Sequence, residues 1–148
     1  MMKSKANLFL IGAAKSGTTA LASSLGQHPA IASLPIKEPG HFSTDLRIPV
    51  FSSRYNRLLQ WDEAAYFKKA RLEERHIGFV ESESNYQKLV DQAITTYPNA
   101  NYVLDASTAY LYSANAPAQL RHYAPDAKIV LILRNPVERA YSHYTMAL

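Results

Sequence analysis

The 148-residue sequence contains no cysteine, and none of its apolar runs approaches the roughly 20 residues that a membrane-spanning helix needs. The lack of cysteine excludes disulfides, thiol catalysis and cysteine-ligated zinc sites. It also fits a reducing compartment, so we expect a cytoplasmic location. The histidines show no metal-ligand spacing with acidic residues, and we therefore expect no metal site.

Charge of either sign is modest, because 19% of the residues are charged and the formal net charge is +4, while 47% of the residues are hydrophobic. These values exclude wholesale disorder. The positive excess suits an anionic ligand but is too small to indicate a nucleic-acid partner. The length allows one domain, to which we assign residues 1–148.

Strand-like and helix-like segments alternate along the chain. The patterns predict strands at 7–12, 30–34, 102–104 and 128–133, and helices at 18–26, 62–71, 83–95, 116–123 and from Pro136 onward. Residues 36–60 are loop-like. This order is typical of an α/β fold with a parallel sheet flanked by helices, in which ligands bind at the carboxyl ends of the strands. The strand-to-helix junctions at 12–19 and 134–139 are therefore the candidate binding segments.

The first junction reads Gly12-Ala13-Ala14-Lys15-Ser16-Gly17-Thr18-Thr19. A helix N-terminus offers unpaired N–H groups and a partial positive charge, and Lys15 adds a full one, so the segment favours an anion site. The two glycines have the separation of a nucleoside-triphosphatase phosphate loop, but that motif then requires Lys-Ser/Thr, which is absent here. The plain alternative is an ordinary turn capped by Ser16 or Thr18.

The segment from Lys15 to Thr19 resembles the 5′-phosphosulfate-binding loop of sulfotransferases that use 3′-phosphoadenylyl sulfate (PAPS). The resemblance implies a P-loop-like parallel sheet. It also implies that Ser16, Gly17, Thr18 and Thr19 bind the 5′-phosphate of the donor. Lys15 would contact the oxygen between phosphate and sulfate and neutralise the charge that develops as sulfate leaves.

The second junction carries Arg134 and Ser142, which match the arginine and the serine eight residues later in the 3′-phosphate-binding motif of that family. A guanidinium at a sheet edge can bind phosphate through two hydrogen bonds, and a serine two helical turns further on can face the same side. Each residue alone could equally be inert on the surface. Two phosphate sites on one sheet edge suit a nucleoside phosphorylated at both ends, such as PAPS, and not ATP.

The segment Lys37-Glu38-Pro39-Gly40-His41-Phe42-Ser43 resembles the Lys-Glu-Pro-His-Phe-Phe stretch of bacterial and heparan-sulfate-type sulfotransferases. The resemblance implies that Glu38 is the general base for the acceptor. Gly40 is inserted before His41 or shifts the register, so His41 is the second candidate base. Alternatively, Glu38 is a loop carboxylate paired with Lys37 or Lys15, and His41 packs beside Phe42.

The segment from Asp105 to Tyr112 resembles the Glu-x-Ser/Thr-Pro-x-Tyr stretch that lines the acceptor cleft in the family. Ala106 stands where the heparan-type enzymes have lysine, and Thr108 replaces the common proline. Asp105 could contact the acceptor, hold Lys15 in place or act as a strand-end turn residue. The sequence does not decide between these roles.

The resemblance covers the whole chain, but family domains are longer, so we expect a domain truncated at its C-terminus. The apolar edge left by truncation would self-associate or bind a complementing chain. The expected function is transfer of a sulfuryl group from PAPS to a hydroxyl or amine of a glycan or small molecule, with 3′,5′-ADP as product and no metal. The alternatives are a catalytically silent nucleotide-binding fragment and a P-loop kinase.

Overall fold

A computed structural model of the chain describes residues 5–46 and 61–147. In that part of the chain the strands are β1 (Leu8–Leu10), β2 (Ile31–Ser33), β3 (Ile36–Glu38), β4 (Arg75–Ile77), β5 (Tyr102–Ala106) and β6 (Lys128–Val130). The helices are α1 (Thr18–Gly26), α2 (Glu63–Tyr66), α3 (Glu83–Thr96), α4 (Ala116–Tyr123) and α5 (Pro136–Ala147), with short 3₁₀ turns at Thr44–Leu46 and Thr108–Leu111.

Four parallel strands form the main sheet in the order β2-β5-β1-β6. Strand β1 lies between two partners, with Leu8 opposite both Leu104 and Lys128. Its continuous apolar run follows from this position, because a strand covered on both faces buries every side chain. The predicted α/β fold with a parallel sheet flanked by helices is confirmed.

The two faces of the sheet have separate apolar clusters, because successive side chains of a strand point to opposite faces. Phe9 packs with buried residues of α3, including Leu89 and Val90. Leu8 and Leu10 pack on the other face with Ala22 of α1. The sheet is thereby fixed between α1 and α3, and its carboxyl edge is held in place for the loops that follow the strands.

The bounds of α1 and α4 agree with the sequence prediction, and α3 is one residue longer. Helix α2 was expected to reach Arg71 but ends at Tyr66, so that prediction is wrong in extent. The side chain of Gln92 accepts a hydrogen bond from the backbone N–H of Leu72 and donates one to its carbonyl. This pairing ties the backbone of Leu72, in the irregular segment after α2, to α3, and a continued helix would use these backbone groups internally.

The loop-like interpretation of residues 36–60 is wrong for its first part, because β3 pairs in parallel with β4 in a second, two-stranded sheet. Glu38 stands opposite Ile77 at the end of this ladder. Residues 47–60 of the same interpretation lie outside the described residues. The pairing fixes the backbone that carries Glu38, the candidate base.

Trp61, the single tryptophan of the chain, packs beside this small sheet. Its indole N–H donates a hydrogen bond of 2.8 Å to the carbonyl of Phe79. The guanidinium of Arg75 lies 5.1 Å from the centre of a Trp61 ring, within the range of a cation–π contact. A Cβ built on Gly78 would lie 2.7 Å from the indole, so glycine is required at that point.

The last strand and helix are more exposed than their sequence suggested. The run at 128–133 was expected to be one strand, but only Lys128–Val130 joins the sheet. On the last helix, Tyr141 and Tyr144 are 70% and 61% exposed. Side chains of β6, α5 and the segment between them therefore form an open apolar face on the described part of the molecule.

Candidate active site

The loop between β1 and α1 turns sharply at three residues with positive φ, namely Gly12 (142°), Lys15 (65°) and Gly17 (93°). A Cβ on Gly12 would lie 2.8 Å from the side chain of Leu111, so the loop passes close against the turn that follows β5. Gly17 is the N-cap residue of α1, and no side chain of the described residues caps this helix. The first turn of α1 is thus left open to a ligand.

Two hydroxyls of this loop are buried, those of Ser16 and Thr18, whereas Thr19 is exposed. Within the described ranges, Ser16 Oγ is a buried side-chain oxygen without a hydrogen-bond partner. Native proteins satisfy most buried polar atoms, so an unsatisfied hydroxyl beside an uncapped helix N-terminus requires an explanation. An anion with several acceptor oxygens fits both features, because it would accept from the hydroxyl and from the N–H groups of the first turn.

Arg134 lies beside the lysine-bearing loop. Strands β1 and β6 are neighbours, so the segments that follow them share one edge of the sheet. Arg134 donates through Nη1 to the carbonyl of Lys15 at 3.5 Å and through Nε to Glu138 at 3.0 Å. Its side chain remains 43% exposed. Ser142 lies further along α5 and is half-buried. The structure therefore brings together Lys15 and Arg134, two of the cationic residues that the sequence singles out.

Glu38 is held by residues from two elements. Its Oε2 accepts hydrogen bonds of 2.9 Å from both the backbone N–H and the hydroxyl of Thr108. Its Oε1 accepts from the ammonium of Lys37 at 2.7 Å, and the glutamate side chain is 17% exposed. The pairing with Lys37 was one of the alternatives left open by the sequence. The carboxylate is therefore fixed in direction and still reaches solvent.

His41, the second candidate base, stacks on the ring of Tyr86 with centroids 4.4 Å apart and an interplanar angle of 11°. Its Nδ1 lies 2.9 Å from the carbonyl oxygen of Val80. The ring also contacts Phe42 edge-on, as the packing alternative expected. His41 lines a cavity of about 510 Å³ between α3 and α4, together with Glu83 and His122.

Asp105 is fully buried at the carboxyl end of β5. Its Oδ2 accepts hydrogen bonds of 2.8 Å from the hydroxyls of Tyr86 and Tyr110, and its Oδ1 accepts one of 2.7 Å from Ser107. Burial raises the pKa of this carboxyl to about 6, although the three hydroxyl donors act in the opposite direction. Burial, together with the nearby negative charge of Asp105, also raises the pKa values of Tyr86 and Tyr110 well above the ordinary tyrosine value.

This buried cluster was not predicted as a unit. The sequence left Asp105 with three alternative roles, and complete burial favours the strand-end role over direct contact with an acceptor. The alternation of β5 could have signalled it, because Val103 and Asp105 point to the same face as the core residue Phe9. Tyr86 and Tyr110 gave no such signal, since tyrosines are common in helix packing.

A cleft of about 940 Å³ runs beside the free edge of β2. It is lined by Thr19 of α1 and Lys37 of β3, and also by Arg71, Arg75 and His76. Its charged lining is mixed, because acidic residues of the same segment also face it. The cleft is large enough for a small molecule or for part of a larger one.

No group of three or more potential metal ligands occurs within residues 5–46 and 61–147. None of the helices described there is long and apolar enough to cross a membrane.

The chain is similar to several characterised sulfotransferases. It is 32% identical over 143 residues to the bifunctional heparan sulfate N-deacetylase/N-sulfotransferase 1 of Caenorhabditis elegans, covering 96% of this chain and 13% of that protein. It is 30% identical over 138 residues to the membrane-associated sulfotransferase kil1 of Dictyostelium discoideum, covering 93% of this chain and 22% of that protein. The chain thus spans less than a quarter of these relatives.

The chain is also similar to a sulfotransferase of known structure. The crystal structure of a sulfotransferase from Alicyclobacillus acidocaldarius superposes with a TM-score of 0.74 at 30% identity, over 97% of this chain and 50% of that one. The sequence profile described as the Sulfotransferase family matches residues 7–148, a range that includes both strand-to-helix junctions. The chain therefore belongs to the sulfotransferase family.

Proposed function

We propose that this chain carries the donor site of a sulfotransferase that moves a sulfuryl group from PAPS to a hydroxyl or amine acceptor. The observation that carries the proposal is the contact between the guanidinium of Arg134 and the backbone carbonyl of Lys15, because it brings the arginine against the lysine-bearing loop at the carboxyl edge of the sheet. Family membership supports the sulfuryl-transfer chemistry. Glycans and small molecules are the acceptor classes we propose, and the cytoplasm is the proposed location.

In this proposal the loop binds the 5′-phosphate end of the donor. Gly17, Thr18 and Thr19 present N–H and hydroxyl donors at the open first turn of α1, and the unpartnered hydroxyl of Ser16 gains an acceptor. Lys15 lies on the same loop and stabilises the negative charge that develops on the departing phosphate oxygen. Arg134, assisted by Ser142 on α5, binds the 3′-phosphate.

The acceptor must lose a proton as its oxygen or nitrogen forms the bond to sulfur and the bond from sulfur to the donor phosphate breaks. Glu38 is the proposed base, because its carboxylate is ionisable, partly exposed and fixed by Thr108. His41 is the second candidate, although one of its ring nitrogens already lies within hydrogen-bond distance of Val80. A carboxylate held by two hydrogen-bond donors is better oriented for this step than a ring stacked on Tyr86.

A catalytically silent nucleotide-binding fragment is the alternative from another class. Helix α5, which carries Ser142, supports this alternative, because Val137, Tyr141 and Tyr144 on the same helix are exposed, and a loosely packed helix holds a phosphate ligand less firmly. Such a protein would bind 3′,5′-ADP and transfer no sulfate. The kinase alternative has weaker support, since the loop lacks the lysine position of that motif.

The proposal is tested by calorimetric titration with 3′,5′-ADP and, for comparison, 5′-AMP. We expect the intact chain to prefer the bisphosphate. Loss of a hydrogen-bonded charge is worth roughly 1.5–3 kcal/mol, so Arg134→Ala should lower the affinity for 3′,5′-ADP about 10–100-fold and change the affinity for 5′-AMP less than about twofold.

Arg121→Ala is the matched control, because Arg121 is an exposed arginine on α4, away from the donor loop. It should leave both affinities unchanged. Equal affinity of the intact chain for the two nucleotides would contradict the proposed pair of phosphate sites. Magnesium-dependent turnover of ATP would instead favour the kinase alternative.

A further inference from the structure

We propose that Asp105 and Ser107 are positioning residues for the proton-accepting loop, acting on Glu38 through Gly40. This inference rests on the proposed function, because it assumes that Glu38 is the base. It adds a role for a buried cluster that touches neither donor nor acceptor in that proposal. The inference follows from a chain of hydrogen bonds that runs from the core to the loop.

The first link is the orientation of the Ser107 hydroxyl. Ser107 is fully buried and donates its only hydroxyl hydrogen to Asp105 Oδ1 at 2.7 Å. A hydroxyl that donates in a fixed direction keeps its lone pairs for acceptance, and Ser107 Oγ accepts the backbone N–H of Gly40 at 3.1 Å. Asp105 thus fixes the orientation of the Ser107 hydroxyl, so that its oxygen accepts the hydrogen bond from the loop.

The second link is Gly40 itself, which is held from both sides. Its carbonyl accepts the hydroxyl of Ser43 at 2.7 Å and the backbone N–H of the same residue at 3.0 Å. Its φ of +57° suits glycine, and a Cβ there would lie 2.8 Å from the ring of Phe79. The backbone two residues after Glu38 is therefore fixed in one conformation.

The third link fixes the carboxylate of Glu38 from the same segment. Thr108 follows Ser107 directly and donates twice to Glu38 Oε2, through its N–H and its hydroxyl. Rotation at Ser107 would therefore disturb the Gly40 anchor and the Thr108 donors together. The carboxylate of Asp105 holds this corner through three hydroxyl donors, and Tyr86 links it to α3 and thus to the core.

The test compares two buried serines. Ser107→Ala removes the Gly40 anchor. Ser113→Ala is the matched control, because Ser113 also donates to a carboxylate, Asp45, and accepts a backbone N–H, that of Ala116 at 2.9 Å, in a corner without contact to Gly40. Transfer is measured with labelled PAPS and either an N-unsubstituted glucosamine oligosaccharide or a phenol as acceptor. Amide hydrogen exchange at Gly40 is followed in the same proteins.

We expect Ser107→Ala to exchange the Gly40 amide at least tenfold faster and to lower kcat at least tenfold. The affinity for 3′,5′-ADP should stay within about twofold, because the donor loop is untouched. Ser113→Ala should keep kcat and the Gly40 exchange rate within about twofold of the intact chain. This should hold even if its unfolding temperature falls as much as that of Ser107→Ala. Ser107→Thr, which keeps the hydroxyl, should restore part of kcat.

Two results overturn the inference alone: an unchanged kcat in Ser107→Ala, or an unchanged Gly40 exchange rate in that variant. A parallel loss of 3′,5′-ADP affinity and kcat would also overturn it, because a loosened fold would then explain both. If Ser107→Ala does not fold, Ser107→Cys, whose sulfur is a weak acceptor for the Gly40 N–H, is measured in the same way with the same expected losses. Failure of the intact chain to transfer sulfate to either acceptor overturns the proposed function, and the inference with it.

Discussion

At the scale of single residues, the most unusual group is the carboxyl of Asp105, which has no exposed surface and yet carries an ionisable proton. Burial raises its pKa to about 6, and the nearby charge of Glu38 acts in the same direction. The hydroxyls of Ser107, Tyr110 and Tyr86 partly offset this by stabilising the ionised form. The folded chain therefore binds a proton here that the unfolded chain has already released at mildly acidic pH.

The pH dependence of stability follows from that difference. Between the unfolded value of 3.8 and the folded value of about 6, the folded state binds more protons, so stability falls as pH rises. A shift of this size corresponds to roughly 3 kcal/mol, which is fully lost above about pH 6. We expect the free energy of unfolding of the intact chain, relative to Asp105→Asn, to fall between pH 4 and 7 by that order. Urea titrations at several pH values measure it, and a constant difference would contradict the burial argument.

The sequence alone could predict the proximity of some site residues but not of others. Lys15 and Arg134 each follow a predicted strand, and parallel neighbouring strands bring their ends together, so their contact was foreseeable. The link from Asp105 to Gly40 was not, because it joins residues far apart in sequence through side-chain directions that no local pattern encodes. Gly40 was visible in the sequence as a departure from the family's stretch, but the hydrogen bonds that anchor it were not.

At the scale of elements, local signals were sufficient where a segment forms its own hydrogen bonds. Helices α1, α3 and α4 have apolar periodicity and identifiable ends, and their bounds were predicted within a residue. Strands β3 and β4 have three residues each and pair with one another across a long separation in sequence. Pro35, Pro39 and Gly40 around β3 gave a loop signal that the tertiary pairing overrides.

The donor loop offers a test at this scale. Gly17→Ala places a methyl group at φ +93°, where the Cβ meets only Ile132 at 3.9 Å, so the expected loss of stability is about 1–2 kcal/mol from backbone strain. The methyl group also stands at the open turn where an anion would approach. We expect the affinity for 3′,5′-ADP to fall at least tenfold in calorimetry.

Ser24→Gly is the control for Gly17→Ala, since it weakens α1 by about 0.5 kcal/mol at an exposed position away from the loop. It should keep the affinity within about twofold. Equal losses in the two variants would show that helix stability, and not access of the anion, explains the effect.

At the scale of the whole molecule, the described part of the chain is well packed around β1 and open at β6 and α5. The exposed apolar side chains there range from 47% to 76% exposure, and they are Ile129, Leu131, Leu133, Val137, Tyr141 and Tyr144. A concentration of exposed apolar side chains of this kind favours association. The face belongs to the same strand and helix that flank Arg134 and Ser142, the residues of the proposed 3′-phosphate site.

We expect this chain to dimerise in a concentration-dependent manner in sedimentation equilibrium. The double variant Val137→Asp with Tyr141→Asp should raise the dimer dissociation constant at least tenfold, because it places two charges on the apolar face. Tyr97→Asp, at a tyrosine that is 45% exposed near the end of α3, should leave it unchanged. A monomer at all concentrations in the intact chain would contradict the prediction.

The position of the lone indole has a practical consequence. Trp61 donates to the carbonyl of Phe79, and the ring of Phe79 lies against Gly40 in the segment that presents Glu38. With no second tryptophan in the sequence, emission excited near the red edge of its absorption comes from one place. The fluorescence of Trp61 is therefore a built-in optical probe of that segment, and changes in its packing can be followed without an added dye.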